Sequence, residues 1–318
     1  MITPKRILVA TDFSEHSHAA ILKAIDLAKK CKAKITLVHV AKKSLLEKVM
    51  ARTVPLLGKA LITSEENALA LFKKIVPHYS KEKIKIKHVI LSGEQPAQKI
   101  LKYSKDHKID LLIIGTHGKY SIHDWYVGTT AEYISRMTTV PVLIVKNAIQ
   151  KSYQKILVPL DFSNASKNAL LFAYALFPKS NLKLLHVADQ DFEELLKNKK
   201  EIASNKIKLM RKSILLFLSQ KMKDFIKKCN KKFAKLTLNI QFGYPGVAII
   251  KEAKQSHQDL VVMGTEGHSQ RHYLFMGRTA SRVLIETDKD LLLVPPKKIG
   301  VKMGESEELF HQLKYKNF

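Results

Sequence analysis

The sequence has few cysteines and no long apolar run. Its 318 residues include two cysteines, Cys31 and Cys229, far apart in lysine-rich surroundings. This number predicts neither a disulfide framework nor a cysteine metal site, so both are expected to be free thiols. No stretch approaches the ~18 consecutive apolar residues of a membrane-spanning helix. The first apolar run, in MITPKRILVATD, is too short for a secretory signal. We therefore expect a cytoplasmic protein with no membrane insertion.

Acidic residues are also scarce. The chain contains 28 Asp and Glu against 55 Lys and Arg, a formal charge of +27. A field of this sign attracts polyanions, so nucleic-acid association through the basic surface is an open interpretation. Many lysines lie in helix-like stretches such as KMKDFIKKCNKKFAK, where a solvated face explains them. Without a zinc finger, basic zipper or aromatic RNA-binding motif, sequence-specific recognition of nucleic acid is not favoured.

The chain does contain an internal duplication. KRILVATDFSEHSHAAILKAIDLA at 5–28 returns as QKILVPLDFSNASKNALLFAYALF at 154–177, and IDLLIIGTHG returns as QDLVVMGTEG. Three pairs of landmarks keep a separation of 149 positions: Asp12 with Asp161, Gly115 with Gly264, and Gly128 with Gly277. A constant separation predicts tandem domains. We place them at 1–147 and 153–296, followed by a polar tail at 297–318.

Each repeat alternates short apolar runs with helix-like stretches. The first repeat has the strand-like runs RILVA, KITLVHV, KIKHVIL, DLLIIG and PVLIV, and the second has KILVPL, LKLLHV, LTLNIQF, DLVVMG and LLLVP. Strands that alternate with helices predict a parallel sheet covered on both faces. The expected fold class is α/β, with two tandem doubly wound, Rossmann-like parallel-sheet domains.

Such a sheet binds its ligand beyond the carboxyl ends of the strands, where the strand order reverses. Asp12 follows the first strand, His39 and Val40 end the second, and the loop GTHGKYSIHDWYVGTT follows the fourth. Glycines in this loop would let the main chain approach phosphate oxygens and adopt positive φ. Thr129 and Thr130 would open a helix whose N-terminus favours anions. The loop therefore predicts a phosphate site, although it is neither a Walker loop nor a dinucleotide turn.

The loop resembles that of the universal stress proteins. Their ATP-binding members carry a glycine, two residues, a glycine, nine residues, and a glycine followed by serine or threonine, and GTHGKYSIHDWYVGT fits throughout. The aspartate of ILVATDFS and the closing strand VPVLIV also stand where the family has them. The resemblance covers about 4–147 and 153–296. It implies a tandem, ATP-binding stress-response protein with the adenine nucleotide alpha-hydrolase-like fold.

The resemblance implies a role for each matching residue of the first repeat. Asp12 is expected at the adenine and ribose end, with the backbone of Val40 beside the adenine. A carboxylate repels phosphate but accepts hydrogen bonds from ribose hydroxyls, although a turn or helix-capping role for Asp12 stays open. The remaining residues assigned to this site, at the ribose and phosphates or within the same loop, are Gly115, His117, Gly118, Gly128, Thr129 and Thr130.

The second repeat departs from the family pattern at two positions. Arg278 replaces the expected serine or threonine, and it could either clamp a phosphate or fill the pocket. Glu266 stands in place of His117 and adds a negative charge that would repel phosphate. We therefore expect the first site to bind ATP better than the second. The second-site candidates are Asp161, Val187, Gly264, Gly267, Gly277, Arg278 and Thr279.

Other candidate residues predict no further site. His117, His123 and Asp124 lack a third ligand at a recognisable spacing, so no metal site is expected. The neighbouring Trp125 and Tyr126 are expected to pack on the loop. Two histidines at equivalent strand ends, His39 and His186, are expected to be core residues with satisfied hydrogen bonds.

The sequence favours a binding and regulatory module over a fast enzyme. It contains no G-x-S-x-G elbow, reactive cysteine or paired-carboxylate motif, so no catalytic residue is predicted. The alternative is a slow ATP hydrolase that uses Mg²⁺ at the same phosphates. By resemblance, VPVLIV and LLLVP are expected to pair within the chain as a pseudo-twofold unit, and homodimerisation stays open. The tail is either an amphipathic helix or a disordered end.

Overall fold

The computed structural model describes residues 3–42, 64–80, 84–116, 127–147, 152–188, 204–266 and 276–296. The first repeat contains β1 (Arg6–Ala10), α1 (Glu15–Cys31), β2 (Lys34–Ala41), α2 (Ser64–Ser80), β3 (Ile86–Ser92), α3 (Pro96–Asp106), β4 (Leu111–Gly115), α4 (Thr129–Met137) and β5 (Val142–Val145). The second contains β6 (Lys155–Pro159), α5 (Asn164–Leu176), β7 (Asn181–Ala188), α6 (Ser204–Lys228), β8 (Leu236–Phe242), α7 (Pro245–Gln255), β9 (Leu260–Gly264), α8 (Arg278–Glu286) and β10 (Asp290–Val294).

The strands form one ten-stranded sheet in the order β3-β2-β1-β4-β5-β10-β9-β6-β7-β8. Neighbours within each repeat are parallel, and β5 pairs with β10 in antiparallel fashion, with Leu143 opposite Leu292. The direction of winding reverses between β1 and β4, and again between β6 and β9. The predicted α/β class and the pairing of the closing strands inside one chain are confirmed.

Both faces of the sheet are covered because its strands are apolar on both sides. Along β1, Ile7 and Val9 belong to one core cluster and Leu8 belongs to the other. The first cluster includes residues of α1, α2, α5 and α6, and the second includes residues of α3, α4, α7 and α8. Cys31 and Cys229 are buried free thiols, as expected. In the described part of the chain, no helix is long and apolar enough to cross a membrane.

One buried carboxylate holds the joint between the repeats. Asp290, at the start of β10, is 2% exposed. Its Oδ1 accepts hydrogen bonds from the backbone N–H of Lys146 at 2.8 Å and of Asn147 at 3.0 Å. Its Oδ2 accepts from the hydroxyl of Tyr153 at 2.6 Å. The equivalent residue of the first repeat is Pro141, so the joint carries this carboxylate at one end of the β5–β10 pair.

The ammonium group of Lys146 lies inside the same joint. Its Nζ donates to the carbonyl oxygens of Leu284 at 2.7 Å and Thr287 at 2.8 Å, at the end of α8. Burial lowers the pKa of Lys146 to about 8, and the nearby charge of Asp290 offsets only part of that effect. The joint is therefore a polar structure closed off from water.

Candidate functional site

The turn after the first strand is built in the same way in both repeats. Asp12 Oδ1 accepts from the backbone N–H of Ser14 at 3.1 Å and from its hydroxyl at 2.6 Å. Asp161 repeats this with Ser163 at 3.0 Å and 2.5 Å. Each serine then caps the following helix, and Ser14 accepts from the N–H of Ser17. The turn role left open for Asp12 is therefore observed, and a ligand role would be additional to it.

His39 and His186 connect the ends of the first two strands of each repeat. His39 Nδ1 lies 2.8 Å from the carbonyl oxygen of Thr11, and His186 Nδ1 lies 2.7 Å from that of Leu160. Burial lowers the pKa of His186. The expected hydrogen bonds are confirmed, but both histidines are half-buried and not core residues. In the first repeat, His39 thereby links the end of β2, next to Val40, to the residue that follows β1.

Glycine is required after β4 and β9 by helix packing. A Cβ on Gly115 would lie 2.8 Å from the backbone C and O of His16, and one on Gly264 would lie 2.8 Å from the Cβ of Ala165. The described glycines with positive φ are Gly93 and Gly243. The expectation of positive φ at the loop glycines is therefore wrong for the described ones. The first turn of α1 or α5 instead crosses the strand end too closely for a side chain.

The third glycine of each motif opens a helix in extended backbone. Gly128 has φ −60° and Gly277 has φ −58°. Their amides are already used, since Gly128 donates to Thr116 O and Gly277 to Thr265 O, each at 2.7 Å. The amides that α4 and α8 can offer to an anion are those of the next three residues, which have no acceptor inside the helix. Donors for a phosphate would therefore come from the helix turn and not from the glycine.

The carboxyl ends of β6, β7 and β9 surround a cavity of about 290 Å³. Six of the seven second-site candidates line it: Asp161, Val187, Gly264, Gly277, Arg278 and Thr279. Gly267 lies outside the described residues. The sequence did not predict nine further lining residues: Pro159, Leu160, Ser166, Leu185, Pro245, Ile249, Met263, Thr265 and Ala280. Pro245 carried a usable signal, because it opens a helix 149 positions after Pro96.

The charges of this cavity are divided between its wall and its rim. Asp161 and Glu266 are half-buried lining residues, whereas Arg278 is exposed at the first position of α8. Arg278 therefore lines the cavity while remaining exposed, and it is the first residue of a helix whose N-terminus favours anions. The arrangement suits a ligand with a hydrogen-bonding polar end and a negatively charged end.

A sequence model described as "Universal stress protein family" matches residues 3–146 and again residues 152–295. The chain belongs to the universal stress protein family. Universal stress protein YxiE of Bacillus subtilis is 26% identical over 145 residues, which cover 44% of this chain and 98% of YxiE. The structure of a universal stress protein from Archaeoglobus fulgidus covers 92% of this chain and 98% of its own, with a TM-score of 0.64 at 18% identity, and shows the fold.

Another solved universal stress protein is described as a complex with cAMP. It covers 46% of this chain and 99% of its own, with a TM-score of 0.34 and 18% identity.

The first repeat of this universal stress protein places its candidates at the corresponding ends of β1, β2 and β4. Val40 is buried near the end of β2, Thr129 is exposed at the start of α4, and Thr130 is half-buried behind it. His117 and Gly118 lie outside the described residues, as do His123, Asp124, Trp125 and Tyr126. Among the described residues, no group of three His, Cys, Asp or Glu could hold a metal ion.

Proposed function

We propose that this universal stress protein binds an adenine nucleotide, ATP, at the carboxyl ends of both half-sheets and acts as a regulatory module. The cavity of the second repeat carries the proposal. Six of the residues that the repeat and the family resemblance predict for this site line one space of about 290 Å³. That volume lies near the lower end of the range for small-molecule sites.

The chemistry of the lining residues orients the ligand. Asp161 is fixed by its turn with Ser163, so its carboxylate is held in place to accept from ribose hydroxyls or the adenine amine. Apolar contact for the base would come from Val187 and Met263. The phosphates would lie toward Arg278 and the first-turn amides of α8, where the helix dipole favours negative charge.

The two sites would differ in strength. Thr129 in the first repeat offers a hydroxyl and amides to phosphate, as the family pattern requires. The second site adds the cation of Arg278 but also the carboxylate of Glu266. Because that carboxylate would repel phosphate at short range, we infer that ATP binds more tightly to the first repeat. Binding would alter the glycine loop and therefore the surface offered to a partner.

Calorimetric titration of ATP and of adenosine, into wild type and four variants, tests the proposal. Arg278→Glu and Thr129→Glu each place a carboxylate at the phosphate end of one site. We expect each to weaken ATP at its own site about tenfold or more, while adenosine changes little, because a charge-assisted bond contributes about 1.5–3 kcal/mol.

Two matched controls accompany these variants. Arg282→Glu is the control for Arg278→Glu and makes the same charge change one turn further along α8. Thr139→Glu is the control for Thr129→Glu and adds the same carboxylate at an exposed position after α4. If the variants and their controls lost ATP affinity equally, the loss would come from the change in net charge and not from the proposed site. Absence of saturable ATP binding to wild type would refute the proposal. Phosphate release above about 1 per second would point to an enzyme instead.

A further inference from the structure

Helix α6 of the second repeat presents apolar side chains to solvent. Leu209, Leu216 and Phe217 are 65%, 64% and 66% exposed, and Met210 is 39% exposed. Leu209 and Leu216, like Met210 and Phe217, are seven residues apart, about two helical turns, so the four share one broad side of the helix. We call them the outer face of α6. The opposite side packs on the sheet through the buried residues Leu218, Met222 and Phe225, and the buried Cys229 follows the helix directly.

The corresponding helix of the first repeat, α2, is polar at two of these places. Three buried pairs align the helices at a separation of 150 positions: Ala68 with Leu218, Phe72 with Met222, and Tyr79 with Cys229. On this alignment Leu216 and Phe217 correspond to Glu66 and Asn67, which are both exposed. The fold therefore does not require apolar residues at these two positions, and the counterparts of Leu209 and Met210 lie outside the described residues.

Cations surround the outer face. Helix α6 contains eight Lys or Arg and one acidic residue, Asp224, whereas α2 contains two lysines and two glutamates. By helical spacing, the exposed basic residues on or beside this side of α6 are Lys212, Lys223, Lys227 and Lys228. Large exposed apolar side chains with a basic border indicate a docking surface whose occupant is apolar and negatively charged.

We propose that the outer face of α6 docks this protein on an anionic lipid surface. Apolar side chains would enter the boundary between headgroups and acyl chains, and the bordering cations would meet lipid phosphates, as in interfacial helices. The helix has 25 residues. It would lie in the membrane plane. The residues that line the cavity proposed for nucleotide do not include any from α6, so this docking goes beyond the proposed function.

Two other occupants fit the surface less well. A nucleic acid would use the cations but would offer no apolar surface to Leu209 and Leu216. A second copy of α6 would cover the apolar side chains but would bring two strongly basic helices together, which costs free energy. A lipid surface matches both the apolar side chains and the charge.

Vesicle flotation of the full chain tests the proposal. The probes are phosphatidylcholine vesicles with and without about 30% phosphatidylglycerol, each at low and high salt. We expect wild type to bind the anionic vesicles, more weakly as salt rises, and to leave the neutral ones unbound. The double variant Leu216→Glu, Phe217→Asn installs the residues of α2, and we expect it to bind anionic vesicles at least tenfold more weakly.

Controls separate the outer face from the charge of +27. Leu69→Glu makes a matched change at an exposed leucine of α2 and should leave vesicle binding unchanged. Leu209→Gln provides a milder outer-face variant if the double variant unfolds. Wild-type binding that the outer-face variants leave intact would overturn the proposal. The proposal would also be overturned if wild type did not bind vesicles and the outer-face variants instead lost duplex DNA binding or changed from dimer to monomer.

Discussion

The two repeats agree at the base of the site and differ at its rim and outer surface. Asp12 and Asp161 make the same turn, and Gly115 and Gly264 lie where a helix crosses the strand end. Thr129 and Arg278, however, open the equivalent helices with different chemistry. The comparison indicates that the duplicated repeats share the residues that packing requires, while residues at the rim and on the outer surface differ.

The largest expected effect on stability concerns the joint between the repeats, where Asp290 stands at one end of the β5–β10 pair and Pro141 at the equivalent position of the other. Asp290→Ala would leave the amides of Lys146 and Asn147 and the hydroxyl of Tyr153 without an acceptor in a buried place. We expect a loss of about 3–5 kcal/mol in the free energy of unfolding, measured by urea denaturation.

Pro141→Ala is the control, at the equivalent position of the first repeat, and it should cost less than about 1 kcal/mol. Equal losses at the two positions would mean that Asp290 does not hold the joint.

The next effect concerns the glycines at the ends of β4 and β9. A Cβ on Gly115 would meet the main chain of His16, whereas one on Gly264 would first meet the side chain of Ala165. Gly115→Ala and Gly264→Ala should each destabilise the fold by about 1–3 kcal/mol, because the new methyl group overlaps the neighbouring helix. At Gly264 the nearest obstacle is the methyl of Ala165, so Ala165→Gly should restore part of the loss. Thermal unfolding of the single and double variants measures this. Alanine variants as stable as wild type would show that packing does not require these glycines.

The smallest effect concerns pH. The pKa of Lys146 falls from an ordinary value of 10.5 to about 8 in the folded protein. Between these values the unfolded chain binds more protons, so this group makes stability rise with pH, by at most about 1.4 kcal/mol per pH unit. Lys146→Met should flatten that part of the profile, whereas Lys254→Met, at an exposed residue of α7, should not. If the free energy of unfolding of wild type and of Lys146→Met changed in parallel with pH, the lowered pKa of Lys146 would be contradicted.

Much of this architecture can be predicted from local pattern. The duplication, the strands and the edge of the sheet where Asp161, Val187 and Arg278 meet all follow from periodicity and from the geometry of parallel sheets. The reason for glycine at 115 could not be predicted, since it depends on how closely α1 crosses β4. The loop sequence alone predicted that this glycine allows phosphate contact, whereas the structure shows that it allows close packing of α1.

Two further features needed the three-dimensional structure. Asp290 looks in sequence like an ordinary turn residue before a strand, and only the β5–β10 pair shows what it holds. Leu209 and Leu216 are spaced like core residues of a helix, and their exposure appears only once α6 is placed on the sheet. Periodicity identifies an apolar side chain but does not say whether the fold covers it.

The most direct test of the account is a crystal structure of the protein grown with ATP. The account predicts density for the nucleotide in the cavity of the second repeat, with the ribose toward Asp161 and the phosphates toward Arg278 and the start of α8, and a matching nucleotide beside Asp12 and Thr129. Nucleotide bound elsewhere on the molecule, or both sites without nucleotide at saturating ATP, would contradict it.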